Sequence, residues 1–182
     1  MPERMPEAEV SLRLAFWLIE TNRVKSDVRI AIDGAQVATG EVIHFPLIDF
    51  MKSKGWACSK PTDRWQGNYC CRSNERGIEI HSQPGVGDVV AELKNGNILR
   101  VECKKGPLTL VNGSPEYPLL RSVLGHLLTL DEVNEKDVIA VAVPKSARFP
   151  QLAERWRNAP LIKRCGIRIL LVGRNNQVEG LD

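Results

Sequence analysis

Apolar residues recur at helical spacing early in the chain, where Val10, Leu14, Trp17 and Leu18 predict a helix over Glu7 to Thr21 with Trp17 turned inward. Glu7 and Glu9 fall in its first turn, where carboxylates suit the helix dipole. Val28 to Ile32 then alternates and ends at Asp33 and Gly34, a turn signal, and Glu41 to Phe45 reads as a second strand of a hairpin. Pro46 opens a short helix with Leu47, Ile48 and Met51 on one face, and Gly55 closes it. Cys58 to Gly77 is rich in charged and small polar residues and reads as a surface loop. Its Trp65 and Tyr69, set among arginines, would also suit stacking on nucleic acid. Ile78 to His81 alternates as a strand.

The alternation is sharpest over Asp88 to Leu93 and Ile98 to Lys104. A two-residue turn at Asn95 and Gly96 would set Leu93 against Ile98 and Ala91 against Arg100, mixing the two faces. A three-residue loop, Lys94 to Gly96, pairs Val89 with Val101 and Ala91 with Leu99 and leaves one consistently apolar face. That register also sets Asp88 opposite Glu102, with Lys104 one step along.

Beyond it, Pro118 to Leu130 predicts a helix with Leu120, Val123, Leu124, Leu127 and Leu128 available for burial. Val138 to Val143 and Ile167 to Val172 are nearly continuous apolar runs, joined by a helical pattern from Pro150 to Cys165 that Pro160 interrupts. This is a strand, helix, strand unit whose strands should be parallel neighbours buried on both faces. The whole, residues 1–182, reads as one α/β domain with a mixed sheet, antiparallel early and parallel late.

Composition narrows the partners. A net charge of +3 permits a polyanionic partner without demanding one, but between Lys145 and Arg174 the basic residues Lys145, Arg148, Arg155, Arg157, Lys163, Arg164, Arg168 and Arg174 stand against a single acid, Glu154. These residues are either a solvated helix face or a surface for phosphates. Five cysteines without a CxxC pair point to a reducing, cytoplasmic setting rather than a disulfide framework or a zinc ribbon. Cys58, Cys70, Cys71 and His81 match none of the usual zinc spacings. The run LAFWLI is far shorter than a membrane span, so no membrane is expected as a partner.

Two carboxylates placed opposite each other repel. A divalent cation would compensate, since Mg²⁺ takes hard oxygen ligands from one or two carboxylates and fills its octahedron with water and phosphate. Lys104 would then hold a metal-bound water or stabilise charge on a phosphate. The plainer alternative is an exposed acid pair that Lys104 neutralises. Gly87, Asp88, a hairpin, then Glu102, Cys103 and Lys104, in the order helix, strands, helix, strand, resembles the PD-(D/E)xK nuclease superfamily, with the restriction-endonuclease-like fold.

The resemblance implies Asp88, Glu102 and the backbone carbonyl of Cys103 as ligands to Mg²⁺, with Mn²⁺ as a substitute, and Lys104 as the residue that positions the attacking water. It covers Glu7 to Val172. Gly87 stands where the family places proline, with Pro84 nearby, and His126 stands where many members carry a helix glutamine; a polar-face role for His126 remains open. An acid from the first helix would be Glu20 or, less well matched, Glu9. The function implied is a metal-dependent endodeoxyribonuclease, with Lys105, Arg121, Lys145 and Arg148 holding the DNA backbone. A two-fold homodimer would suit palindromic cutting. A DNA-binding module that no longer cleaves and a structural domain are the alternatives.

Overall fold

The computed structural model describes residues 3–83, 85, 87–110, 112–113, 115–130 and 133–181, and Pro84 lies outside them. In chain order the elements are β1 (Arg4–Met5), α1 (Glu7–Glu20), β2 (Val28–Ala31), α2 (Gly34–Val37), β3 (Ala38–Thr39), β4 (Val42–Ile43), α3 (Leu47–Ser53), β5 (Trp56–Asp63), β6 (Gln66–Cys71), β7 (Ile78–His81), β8 (Val89–Glu92) and β9 (Ile98–Cys103). There follow β10 (Gly106–Pro107), α4 (Glu116–Leu127), β11 (Asp137–Pro144), α5 (Phe149–Arg157), α6 (Pro160–Cys165), β12 (Arg168–Val172) and β13 (Val178–Glu179).

A nine-stranded mixed sheet organises the molecule, in the order β13-β12-β11-β9-β8-β2-β7-β6-β5. β9, β11 and β12 run parallel, while β8 joins β9 and β2 in antiparallel fashion. The alternation of β9 decides what lies on each face. Leu99, Val101 and Cys103 join a core with α1, whereas the opposite face of β11 and β12, with Val141, Val143, Ile169 and Leu171, packs on α4 and α5. Helix α1 is buried almost all round, from Ala8 to Ile19, with Trp17 inward as its spacing predicts.

Such a helix must satisfy its own charges. Buried Arg13 donates to Glu9 at 2.8 Å and to Asn176 Oδ1 at 2.8 Å, and it also bonds the Arg174 carbonyl. The middle of α1 is thereby tied to the turn that follows β12.

Three expectations need correction. The segment from Cys58 to Gly77 is largely a hairpin, β5 with β6, rather than a loop. β5 is the edge of the sheet and is exposed after Trp56, so its residues need not be apolar, and only buried Tyr69 on β6 betrays a strand. Pro61 and two register shifts blunt that edge against further pairing. β4 does not pair with β2: it folds back on β3, and β2 lies between β7 and β8. β2 and β7 are also parallel, so the early sheet is mixed rather than antiparallel. In both cases the apolar pattern carries strand identity but not partner choice.

Candidate active site

The β8–β9 hairpin has the register that its apolar face demands. Val89 lies opposite Val101 and Ala91 opposite Leu99. The loop closes where Leu93 N–H donates to the Asn97 carbonyl at 2.8 Å, and Gly96 takes φ +87° within it, a conformation that costs glycine little. Extending the ladder one step sets Asp88 against Glu102, and the Asp88 carbonyl accepts from Ala31 N–H on β2 at 2.9 Å.

Asp88 is anchored by one oxygen. Its Oδ2 accepts from Cys103 N–H at 2.7 Å, while Oδ1 has no hydrogen-bond partner among the described residues. Burial, and then the charge of Glu102, push the Asp88 carboxyl up to about 7, while the Cys103 N–H bond and the Lys104 charge pull it back. Burial likewise raises Glu102, against the charges of His126 and Lys104. Two adjacent carboxyls whose hold on the proton burial has raised form a donor set that suits a hard dication. The Cys103 thiol is fully buried on the α1 side, leaving its backbone carbonyl as the group that the resemblance assigns to a metal. Among the described residues no three His, Cys, Asp or Glu side chains gather around one point, so water and phosphate oxygens would complete any magnesium shell.

Gly87 holds a backbone conformation that a proline ring could not adopt. It has φ +122°, and a Cβ there would lie 3.2 Å from the Val101 carbonyl oxygen. Gly87→Ala is therefore expected to cost about 1–3 kcal/mol and to lower the melting temperature, as thermal denaturation would record.

Lys104 pairs with Glu7 Oε2 at 3.3 Å, and Gln36 Nε2 donates to Glu7 Oε1 at 3.0 Å. The acid that α1 brings to the site is thus Glu7. Glu20 sits at the far end of the helix, about 20 Å away at 1.5 Å per residue, and is exposed. Glu9 is committed to Arg13 and Arg174. Sequence reading missed Glu7 because a carboxylate in a first helical turn is already accounted for by the dipole, and it missed Gln36 because nothing local marks it. The available signal for Glu7 was topological: a helix packed across parallel strands presents its first turn at one strand end.

Two clefts flank this group. One, of about 380 Å³, is lined by Asp33, Gln36, Ser82, Gln83, Asp88 and Glu102 among others, and includes no Lys or Arg among the described residues. The other, of about 620 Å³, is lined by Arg4, Glu7, Gln36, His44, Lys104 and Lys105 among others. His126, exposed on α4, is near enough for its charge to act on Glu102. Arg121, Lys145 and Arg148 line neither cleft. Arg121 stacks over Tyr117 with its guanidinium 5.8 Å from the ring centre, Lys145 pairs with Glu179, and the Arg148 backbone N–H donates to Ser146 Oγ at 3.3 Å.

The basic C-terminal third is also divided. Arg157 donates twice to the Ile169 carbonyl, and Arg174 pairs with Glu3 and Glu9. Arg168 begins β12 and, with Arg23 and Lys94, lines a cleft at the β8–β9 turn, the opposite strand end from Lys104. No helix among the described residues is long and apolar enough to cross a membrane. Set against protein-family models, curated proteins and solved structures, the chain matches none.

Proposed function

We propose that the protein is a metal-dependent endodeoxyribonuclease that hydrolyses a phosphodiester by attack of an activated water. The observation that carries this reading is the Asp88–Glu102 pair, half-buried, open on its free oxygens and raised in proton affinity, with Lys104 beside it. Magnesium would be held by Asp88, Glu102 and the Cys103 carbonyl, and when bound it would polarise the phosphate and lower the pKa of water. Lys104 holds the attacking water and Glu7 orients Lys104. Lys105 and Arg4, on the cationic cleft, hold the strand. A module that binds DNA without cutting would gain nothing from two carboxylates facing a phosphate.

The test is cleavage of linear, supercoiled, single-stranded and branched DNA with Mg²⁺, Mn²⁺ or EDTA. Cutting with either metal and none in EDTA is expected. Equal cutting in EDTA would remove the metal from the reaction, and no cutting of any form would count against a nuclease.

Charge placement sharpens the picture of the DNA track. Lys105→Ala is expected to weaken DNA binding and to reduce the slope of log affinity against log salt by about 1, whereas Arg168→Ala leaves that slope unchanged. Fluorescence anisotropy across a salt series measures both; the reverse result would move the DNA to the other end of the sheet.

A further inference from the structure

The two clefts meet at one side chain, Gln36, which lines both. It reaches this position because Asp33 caps α2, its Oδ1 accepting from Ala35 N–H at 2.9 Å, and because Val37 is buried and pins the end of that short helix. A carboxamide has two N–H donors and one carbonyl acceptor. One N–H is used on Glu7 Oε1 at 3.0 Å; the second N–H and the carbonyl oxygen have no partner among the described residues. On one side of Gln36 are Asp88 and Glu102, and on the other are Arg4, Lys104 and Lys105. A phosphate joining a metal on the acid pair to a strand held by the cations has to cross this side chain.

We infer that Gln36 contacts the scissile phosphate, donating its second N–H to a non-bridging oxygen while its first N–H fixes Glu7 against Lys104. This rests on the nuclease reading and extends it to a residue outside the acid, acid, lysine set. A carboxamide suits the place because it donates without adding charge to a site already crossed by ion pairs. Its grip on Glu7 also links substrate position to the placement of Lys104.

The experiment uses the full chain and two readouts. In the first, the ¹⁵N-labelled side-chain amide of Gln36 is followed while a 12-base-pair DNA duplex is added with Ca²⁺, which takes the same oxygen ligands as Mg²⁺ in a looser geometry. In the second, plasmid cleavage with Mg²⁺ is compared for wild type, Gln36→Leu, Glu7→Gln and the double variant. The Gln36 amide signal is expected to move on DNA addition. Gln36→Leu is expected to raise KM roughly three- to tenfold and to lower kcat by about tenfold, with the double variant much less impaired than the product of the two single losses. A Gln36 amide that stays still while the Lys104 and Lys105 backbone signals move would overturn the contact. So would wild-type kcat and KM in a folded Gln36→Leu chain. A wild type that neither cuts nor shows any DNA-induced shift would overturn the nuclease reading itself, and the assignment of Gln36 with it.

Discussion

Lys104→Ala is expected to lower the single-turnover rate of DNA cleavage by roughly 10²–10⁴-fold, the range for removing a group that assists proton transfer or charge development. The expectation follows from placement. Lys104 continues β9 one step beyond Cys103, and its N–H donates to the Ala142 carbonyl at 2.9 Å, so the backbone that carries it is held by the sheet. Its ammonium is held from one side by Glu7 and lies close enough to Asp88 and Glu102 to act on both. Removing the side chain leaves Glu7 with Gln36 as a partner, so the fold should survive. DNA affinity should fall by less than about tenfold, because Lys105 and Arg4 remain on the same cleft. Cleavage rates and anisotropy separate the two effects, and a folded variant that cuts at the wild-type rate would leave Lys104 without a part in the reaction.

Asp88→Asn should do two opposite things. It removes a proposed metal ligand, so cleavage with Mg²⁺ should fall by at least about 10²-fold, as for the loss of a group that organises the attacking water. It also removes a repelling charge, so the metal-free protein should become more stable. The carboxyl ordinarily titrates at 3.8, and in the folded chain burial and Glu102 push it up to about 7. Between those values the folded state binds the proton that the unfolded state has released. The stability that Asp88 contributes is therefore present below pH 4 and is lost as pH rises to about 7.

Asparagine has no such slope, and its side-chain oxygen can still accept from Cys103 N–H. The gain at pH 8 in EDTA is expected to be about 1–2 kcal/mol, or roughly 2–8 °C in melting temperature, and to vanish near pH 3. Adding Mg²⁺ should raise the melting temperature of wild type and leave the variant nearly unchanged. A variant less stable than wild type at pH 8 in EDTA would mean that the two carboxylates do not repel in the folded chain.

These expectations concern residues whose places were legible to different degrees. The facing of Asp88 and Glu102 could be read from apolar alternation alone, because a one-residue slip would have exposed Val89, Leu99 and Val101. The parallel pair β11 and β12 was equally legible from two apolar runs around a helical segment, since both faces of those strands are covered. Legibility failed where burial is absent or where the decisive contact is distant in sequence. β5 is exposed and so carries no apolar signature, and the partners of β2, which are β7 and β8, lie far along the chain rather than across a local turn. Glu7 meets Lys104 across more than half the length of the chain, a contact set by how α1 crosses the sheet. The run of basic residues from Lys145 to Arg174 left a solvated face and a phosphate surface equally open, and Arg157 and Arg174 take a third course by bonding the protein itself.

The most direct measurement is the rate at which supercoiled plasmid is cut by wild type and by Glu102→Ala, each with Mg²⁺ and with EDTA. Glu102 has no hydrogen-bond partner among the described residues and faces a cleft, so its removal should leave the fold intact and take away one of the two carboxylates proposed to hold the metal. The account predicts cutting by wild type with Mg²⁺ alone, abolished by EDTA and reduced at least about 10²-fold in the folded variant. Cutting by Glu102→Ala at the wild-type rate would contradict it.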